Sequence, residues 1–376
     1  MIKYSVKLEN ILNNHLSKTH LSRKKFMSGF ILGLLYRKSV KFAEIAAVLN
    51  AAVKDESNLR RIQSFFADHE MDYLAIAGLL MSFVPLRRLA ISIDRTNWQV
   101  NGENINIFCL TVHYQGVGIP ILFDMLDKKG NTDQQERIDL LDKFCLLFGE
   151  GRIGSLMGDR EFIGEKWYKY LINKKIPFYL RLPKSHRVTV GGIHYRIDKL
   201  IDAIAGTKEV WLNRIFVNGI ELNIGLKKLH AGGAGRKEDD YLAILTNDKG
   251  YKALKEYKKR WSIETFFQSI KKRGFDIEQT HLDEPSKIQK LFALVAIAFA
   301  CCITIGIHHN KTVKTIPTKN HGYKQNSFFR VGLDKFFKAI KDIKDSQFEL
   351  NRILSIIYDL ISKNISAWNL DKKIIT

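Results

Sequence analysis

The run LFALVAIAFACCITIGI, Leu291 to Ile307, constrains the fold of this chain more than any other feature. It is almost wholly apolar and carries no charge, so something apolar must cover it. It sits at the short limit of a membrane span, which needs about 17–25 such residues. The segment before it is strongly polar and basic, and no second run of this kind exists. A helix buried in a globular core is therefore expected. The chain has 376 residues, of which 45% are hydrophobic. That suffices for a sizeable core and predicts two or three domains. The opening MIKYSVKLENILNNHLSK has neither an apolar h-region nor a small-residue cleavage site, so no signal peptide is expected.

The formal net charge is +21, with a pI near 9.6. Such a balance calls for a polyanion, with nucleic acid first and an anionic membrane surface second. The charge is spread along the whole chain, which favours an extended DNA footprint. Cys109, Cys145, Cys301 and Cys302 form no CxxC pair, so neither a zinc ribbon nor a disulfide framework is expected. Each lies in an apolar run and reads as a reduced core thiol, which implies a cytoplasmic location.

Five regions are expected. Residues 1–87 read as helical, with periodic stretches at FMSGFILGLLYRK, VKFAEIAAVLN and SNLRRIQSFF, and with Ser39 and Ser57 as N-caps. The last two stretches could form a helix-turn-helix with Arg60 and Arg61 on its second helix, or simply part of a small bundle. Residues 88–183 change period. RRLAISIDRTNW, NINIFCLTVHY and GIPILFDML read as three strands with turns at NGEN and QGVG. Next come a helix capped by Thr132, the strand IGSLMGD, the helix EKWYKYLINKK and the strand PFYLRL. Strands in succession followed by helix–strand alternation predict a mixed sheet with helices on both faces. Residues 184–240 read as a β-rich insertion, ending in a glycine-rich hairpin tip at HAGGAGRKED. Residues 241–310 return to the sheet with DYLAILTND and end in the apolar helix. Residues 311–376 are a basic linker and a helical end.

Between these last strands and the apolar helix lies YKKRWSIETFFQSIKK, read as one helix. At about 100° per residue, Tyr257, Arg260, Glu264 and Lys271 fall at about 0°, 300°, 340° and 320°. They share a narrow stripe beside an apolar face made by Ile263, Phe266, Phe267 and Ile270. One reading is a solvated face with i,i+4 ion pairs. The other is a metal-holding carboxylate flanked by phosphate-holding cations.

Two further carboxylates favour the second reading. Asp94 ends the apolar run AISIDRTNW and Asp159 ends GSLMGDREF. Ends of strands are where open α/β sheets place their chemistry. If those strands are neighbours, both side chains come within metal-bridging reach and Glu264 has only to cross from its helix. Three carboxylates suit Mg²⁺ or Mn²⁺ rather than zinc, and two such ions can serve an in-line displacement at phosphorus. Each aspartate alone could equally be a loop cap.

The spacing Y-x2-R-x3-E-x6-K, met by Tyr257, Arg260, Glu264 and Lys271, resembles the signature of DDE transposases of the insertion-sequence-four type. The settings of Asp94 and Asp159 are similar to that family's two aspartate motifs. The resemblance covers about residues 88–310. It implies an RNase H-like core with Asp94, Asp159 and Glu264 as catalytic metal ligands for two Mg²⁺ or Mn²⁺ ions. Tyr257, Arg260 and Lys271 would then contact DNA. It also implies double-stranded DNA partners (terminal inverted repeats of an insertion sequence, and target DNA), cut-and-paste transposition, and a homodimer in a synaptic complex. No membrane partner is expected, and the location would be the bacterial cytoplasm near the nucleoid.

In such enzymes an aromatic in the insertion can stack on a flipped base. Trp211 is the candidate, with a buried strand residue as the alternative reading, and Trp98 is a weaker candidate. Arg160 and Arg181 are open between phosphate contact and pairing with a core carboxylate. Two other functions compete: a related nuclease or resolvase that cuts without joining, and a non-catalytic repressor derived from a transposase.

Overall fold

The structure, a computed structural model, describes residues 6–50, 52–229, 241–320, 322–341 and 346–375. Five helices lead: α1 (Val6–His15), α2 (Leu21–Arg37), α3 (Phe42–Leu49), α4 (Asp55–Asp68) and α5 (Tyr73–Ser82). The turn between α3 and α4 is held by the buried amide of Asn58. Its Nδ2 donates to the carbonyls of Ala46 at 3.1 Å and Asn50 at 2.8 Å. The expected N-caps move. Lys41 precedes α3 and Lys54 precedes α4, while Ser57 lies inside α4, where two acidic residues, Asp55 and Glu56, already favour the positive end of the helix dipole.

The sheet begins with β1 (Leu89–Val100), β2 (Glu103–Tyr114) and β3 (Val117–Met125), joined by the two expected hairpin turns. Asn101–Gly102 and Gln115–Gly116 all have positive φ, as two-residue turns between twisted strands require. Then follow α6 (Gln134–Phe148), β4 (Ile153–Gly158), α7 (Glu165–Asn173) and β5 (Phe178–Arg181). The cap of α6 is Asp133, one residue beyond Thr132, because Asp133 and Glu136 close a reciprocal capping box.

Next are β6 (Arg187–Val190), β7 (Ile193–Arg196), the short α8 (Ile197–Asp202), β8 (Glu209–Val217), β9 (Ile220–Lys228) and β10 (Tyr241–Thr246). The chain is a mixed α/β fold built on one ten-stranded sheet, ordered β3-β2-β1-β4-β5-β10-β9-β8-β6-β7. The strands of the 184–240 segment do not stand apart. β9 pairs with β10, and β10 with β5, so they extend the main sheet. The glycine-rich stretch HAGGAGRKED lies outside the described residues.

The closing elements are α9 (Ala253–Tyr257), α10 (Trp261–Ile270), α11 (Pro285–Thr312), α12 (Phe328–Lys341) and α13 (Ser346–Ile375). The apolar run lies in α11 and is buried at every residue from Leu291 to Ile307. By length and composition α11 could cross a membrane, but 94% of its most apolar window is covered by protein. It touches α2, α5, α10, α12, α13 and β3, and so joins the N-terminal helices, the sheet and the C-terminal helices. Where α11 crosses α12, Gly306 and Gly332 bring the two backbones together. A Cβ on Gly306 would strike the Phe328 backbone, and one on Gly332 the Cys302 backbone. Cys109, Cys301 and Cys302 are buried thiols as expected, whereas Cys145 is only half-buried, and all four are free.

Candidate functional site

Strand pairing brings the two aspartates together. β1 and β4 run parallel with Ile93 opposite Gly158, so Asp94 and Asp159 are the next residues on each side. Asp94 does not end its strand, however. β1 continues to Val100 because its far half pairs with β2 up to Val100↔Glu103. What ends at Asp94 is the parallel pairing, since β4 stops at Gly158. Each carboxylate accepts from the backbone N–H of the residue after it, Arg95 at 2.8 Å and Arg160 at 2.6 Å.

Glu264 arrives on α10, which packs on β1 and β3. Gly118 of β3 permits the approach: a Cβ there would lie 2.9 Å from the Ser262 carbonyl oxygen. The segment from Tyr257 to Lys271 is not one α-helix. Residues Lys258–Arg260 form a tighter 3-10 turn between α9 and α10, and Lys271 lies just past the end of α10. Arg260 and Glu264 remain one turn apart and ion-paired, whereas the end of α10 at Ile270 takes Lys271 off the stripe. The Lys271 ammonium pairs with Glu278 at 2.8 Å and lies 5.9 Å from the centre of the Trp98 ring, beyond Asp94 on β1.

Arg260 is the hub. Nη1 lies 3.1 Å from Asp94 Oδ2 and 4.0 Å from Asp159 Oδ2, and Nη2 donates to Glu264 Oε1. Three carboxylates from three separate segments thus meet around one guanidinium that is 7% exposed. Among the described residues, no three His, Cys, Asp or Glu side chains are grouped so as to hold a metal ion by themselves. The donor chemistry nevertheless fits a hard divalent cation: three acceptor-only carboxylates converge on a positive charge, at present that of Arg260.

Burial pushes the Asp94 carboxyl up to about 7; the Arg260 charge and the Arg95 N–H oppose this, and the Asp159 and Glu161 charges add to it. Burial pulls Arg260 down, but Tyr257, Asp159, Asp94 and Glu264 together hold it above its ordinary value. Burial raises the Tyr257 phenol, whose enclosed hydroxyl has no hydrogen-bond partner among the described residues. The guanidinium carbon of Arg260 stands 5.6 Å from the centre of the Tyr257 ring.

Sequence reading missed a second cluster on the other side of β1. Arg95 donates to both Glu161 oxygens at 2.7 Å, to Asn106 at 3.0 Å and to Asn131 at 2.8 Å. The available signal was a cation directly after Asp94 and a carboxylate two residues after Asp159. The other predicted residues are placed as follows. Arg60 and Arg61 are exposed on α4. Trp211 on β8 is 52% exposed, so the buried reading does not hold, whereas Trp98 is buried. Arg181 is buried, with its guanidinium donating to the Tyr241 carbonyl at 3.0 Å.

No curated protein matches the sequence. Among solved structures, one that matches is the cryo-EM structure of the piggyBac transposase synaptic complex with hairpin DNA. The TM-score is 0.45 at 9% identity, covering 93% of this chain and 82% of that chain. The family described as "Transposase DDE domain" matches residues 86–301, a span that contains both aspartates, Glu264 and most of α11. The chain belongs to the transposase DDE domain family.

Proposed function

We propose that the protein is an insertion-sequence transposase that binds terminal inverted repeats and carries out metal-dependent strand cleavage and strand transfer. The observation that carries this reading is the meeting of Asp94, Asp159 and Glu264 around Arg260. The order β3-β2-β1-β4-β5, with β1, β4 and β5 parallel, supports an RNase H-like core.

Asp94, Asp159 and Glu264 would hold Mg²⁺ or Mn²⁺, two ions in the full reading. Bound there, the metal would supply Lewis-acid activation of an attacking oxygen and charge relief on a leaving one. The chain's own residues do the rest. Arg260, released from the carboxylates, presents a planar fork to two phosphate oxygens. The unpartnered Tyr257 hydroxyl donates to a third oxygen. Lys271 offsets charge on the DNA further along β1. Trp211, exposed on the sheet extension, offers a stacking face to an unpaired base. Arg60 and Arg61 contact the backbone of the terminal repeat. Residues 1–87 form the DNA-binding region, 88–183 and 241–310 the catalytic core, 184–240 the insertion and 311–376 the C-terminal helical region. Two copies, on this reading, act together on paired ends in the bacterial cytoplasm.

The test uses purified full-length protein and a duplex carrying the element's end. Asp94→Ala, Asp159→Ala and Glu264→Ala should each abolish Mg²⁺-dependent cleavage and leave metal-free DNA binding largely intact. Full cleavage by any one of them refutes the ligand assignment. Cleavage by the wild type without joining would favour a nuclease or resolvase, and binding without cleavage a repressor.

A further inference from the structure

We propose that Arg95 and Glu161 form a positioning pair that fixes the spacing of Asp94 and Asp159 and so sets the protein's affinity for its divalent ion. The proposal rests on the ligand assignment above. Successive residues of a strand face opposite ways, so Asp94 turns toward Arg260 while Arg95 turns to the other side of the sheet. Glu161 stands two residues after Asp159, in the loop that follows β4. Both its oxygens accept from Arg95, from Nε and from Nη2, each at 2.7 Å. That bidentate bond ties the residue beside one aspartate to the loop that carries the other.

The pair is itself anchored. Arg95 Nη1 donates to Asn106 Oδ1 at 3.0 Å, and the Asn106 amide donates to the carbonyls of Lys128 at 3.0 Å and Gly130 at 3.1 Å. Arg95 Nη2 also donates to Asn131 Oδ1 at 2.8 Å. The side chains of Arg95 and Glu161 are 13% and 15% exposed, so the bond is shielded from competing water. With both oxygens held by Arg95, Glu161 acts as a support for the ligands. Supports of this kind are worth about 10–100-fold in metal affinity.

The experiment measures Mn²⁺ binding to the full-length protein without DNA, by electron paramagnetic resonance of the free ion, alongside thermal stability. Glu161→Gln should weaken Mn²⁺ binding by about 10–100-fold while the folded variant binds DNA normally in EDTA. Asn131→Ala, which removes one exposed anchor, should fold as the wild type does and weaken binding by a smaller factor. A purely structural pair would lower the melting temperature and leave Mn²⁺ affinity of the folded protein unchanged, and that result overturns the proposal. If Glu161→Gln does not fold, an unchanged affinity in Asn131→Ala overturns it equally. Asp94→Asn serves as the control. If it binds Mn²⁺ as the wild type does, the ligand assignment itself has failed, and the proposal with it. If it loses Mn²⁺ while Glu161→Gln and Asn131→Ala do not, only the positioning role is lost.

Discussion

The Arg260 guanidinium donates to the Asp94 carboxylate at 3.1 Å, across 166 positions of sequence. Among the described residues it is the cation ion-paired with all three acids, and without it their charges would oppose one another at short range. Breaking a buried pair by removing one partner costs about 3–5 kcal/mol. Arg260→Gln should therefore lower the melting temperature markedly in EDTA. Adding Mg²⁺ should narrow the gap to the wild type. Equal melting temperatures in EDTA would show that the guanidinium is not the counter-charge of the cluster.

Asp94 gives the metal-free protein a pH dependence of definite sign. Its folded-state value is raised to about 7 by burial, above the ordinary carboxylate value of 3.8. Between those limits the folded protein holds a proton that the unfolded chain releases. The contribution is fully present at the acid end and is lost as pH rises toward 7. Asp94→Asn keeps the neutral state at every pH. In EDTA it should match the wild type near pH 4 and exceed it at pH 8, by at most about 4 kcal/mol, given about 1.4 kcal/mol per tenfold change in proton affinity. Melting curves across that range check the prediction. A difference that grows toward acid would contradict it.

The crossing of α11 and α12 makes two glycines unusually sensitive. At Gly306 and Gly332 an added methyl would strike backbone rather than a yielding side chain. Overpacking of this kind costs about 1–3 kcal/mol or more. Gly306→Ala and Gly332→Ala should each lower the denaturation midpoint. Gly78→Ala, on α5, has nothing within 4 Å of its new atom and should not. Urea titrations followed by circular dichroism separate the three.

Exposed Arg60 and Arg61 sit on α4, well apart in sequence from the carboxylates. Each phosphate contact on duplex DNA adds about 0.9 to the slope of log K against log salt. Replacing both arginines by alanine should flatten that slope by up to about 1.8 and weaken binding at every sequence alike. An unchanged slope would remove α4 from the interface. Trp211→Ala should leave the slope alone and impair only steps on unpaired bases.

Much of the fold could be read from the residues. The period-two strands, the hairpin turns at Asn101–Gly102 and Gln115–Gly116, and the burial of Leu291–Ile307 follow from local pattern, and the structure agrees. The adjacency of Asp94 and Asp159 was legible only conditionally, because strand order is set by long-range pairing. The Arg95–Glu161 bond was not legible, since nothing local distinguishes a cation that pairs across the sheet from one that faces solvent. The break at Lys258–Arg260 was hidden for a similar reason: the helical period of the flanking residues continues through it.

The central place of α11 bears on how the protein is made. The N-terminal helices and all ten strands leave the ribosome before the apolar helix that seals them, and α12 and α13 follow later still. A nascent chain cut off before Pro285 would display the faces of α2, α5 and β3 that α11 otherwise covers. Shortened products should therefore aggregate or be degraded rather than persist as free DNA-binding fragments.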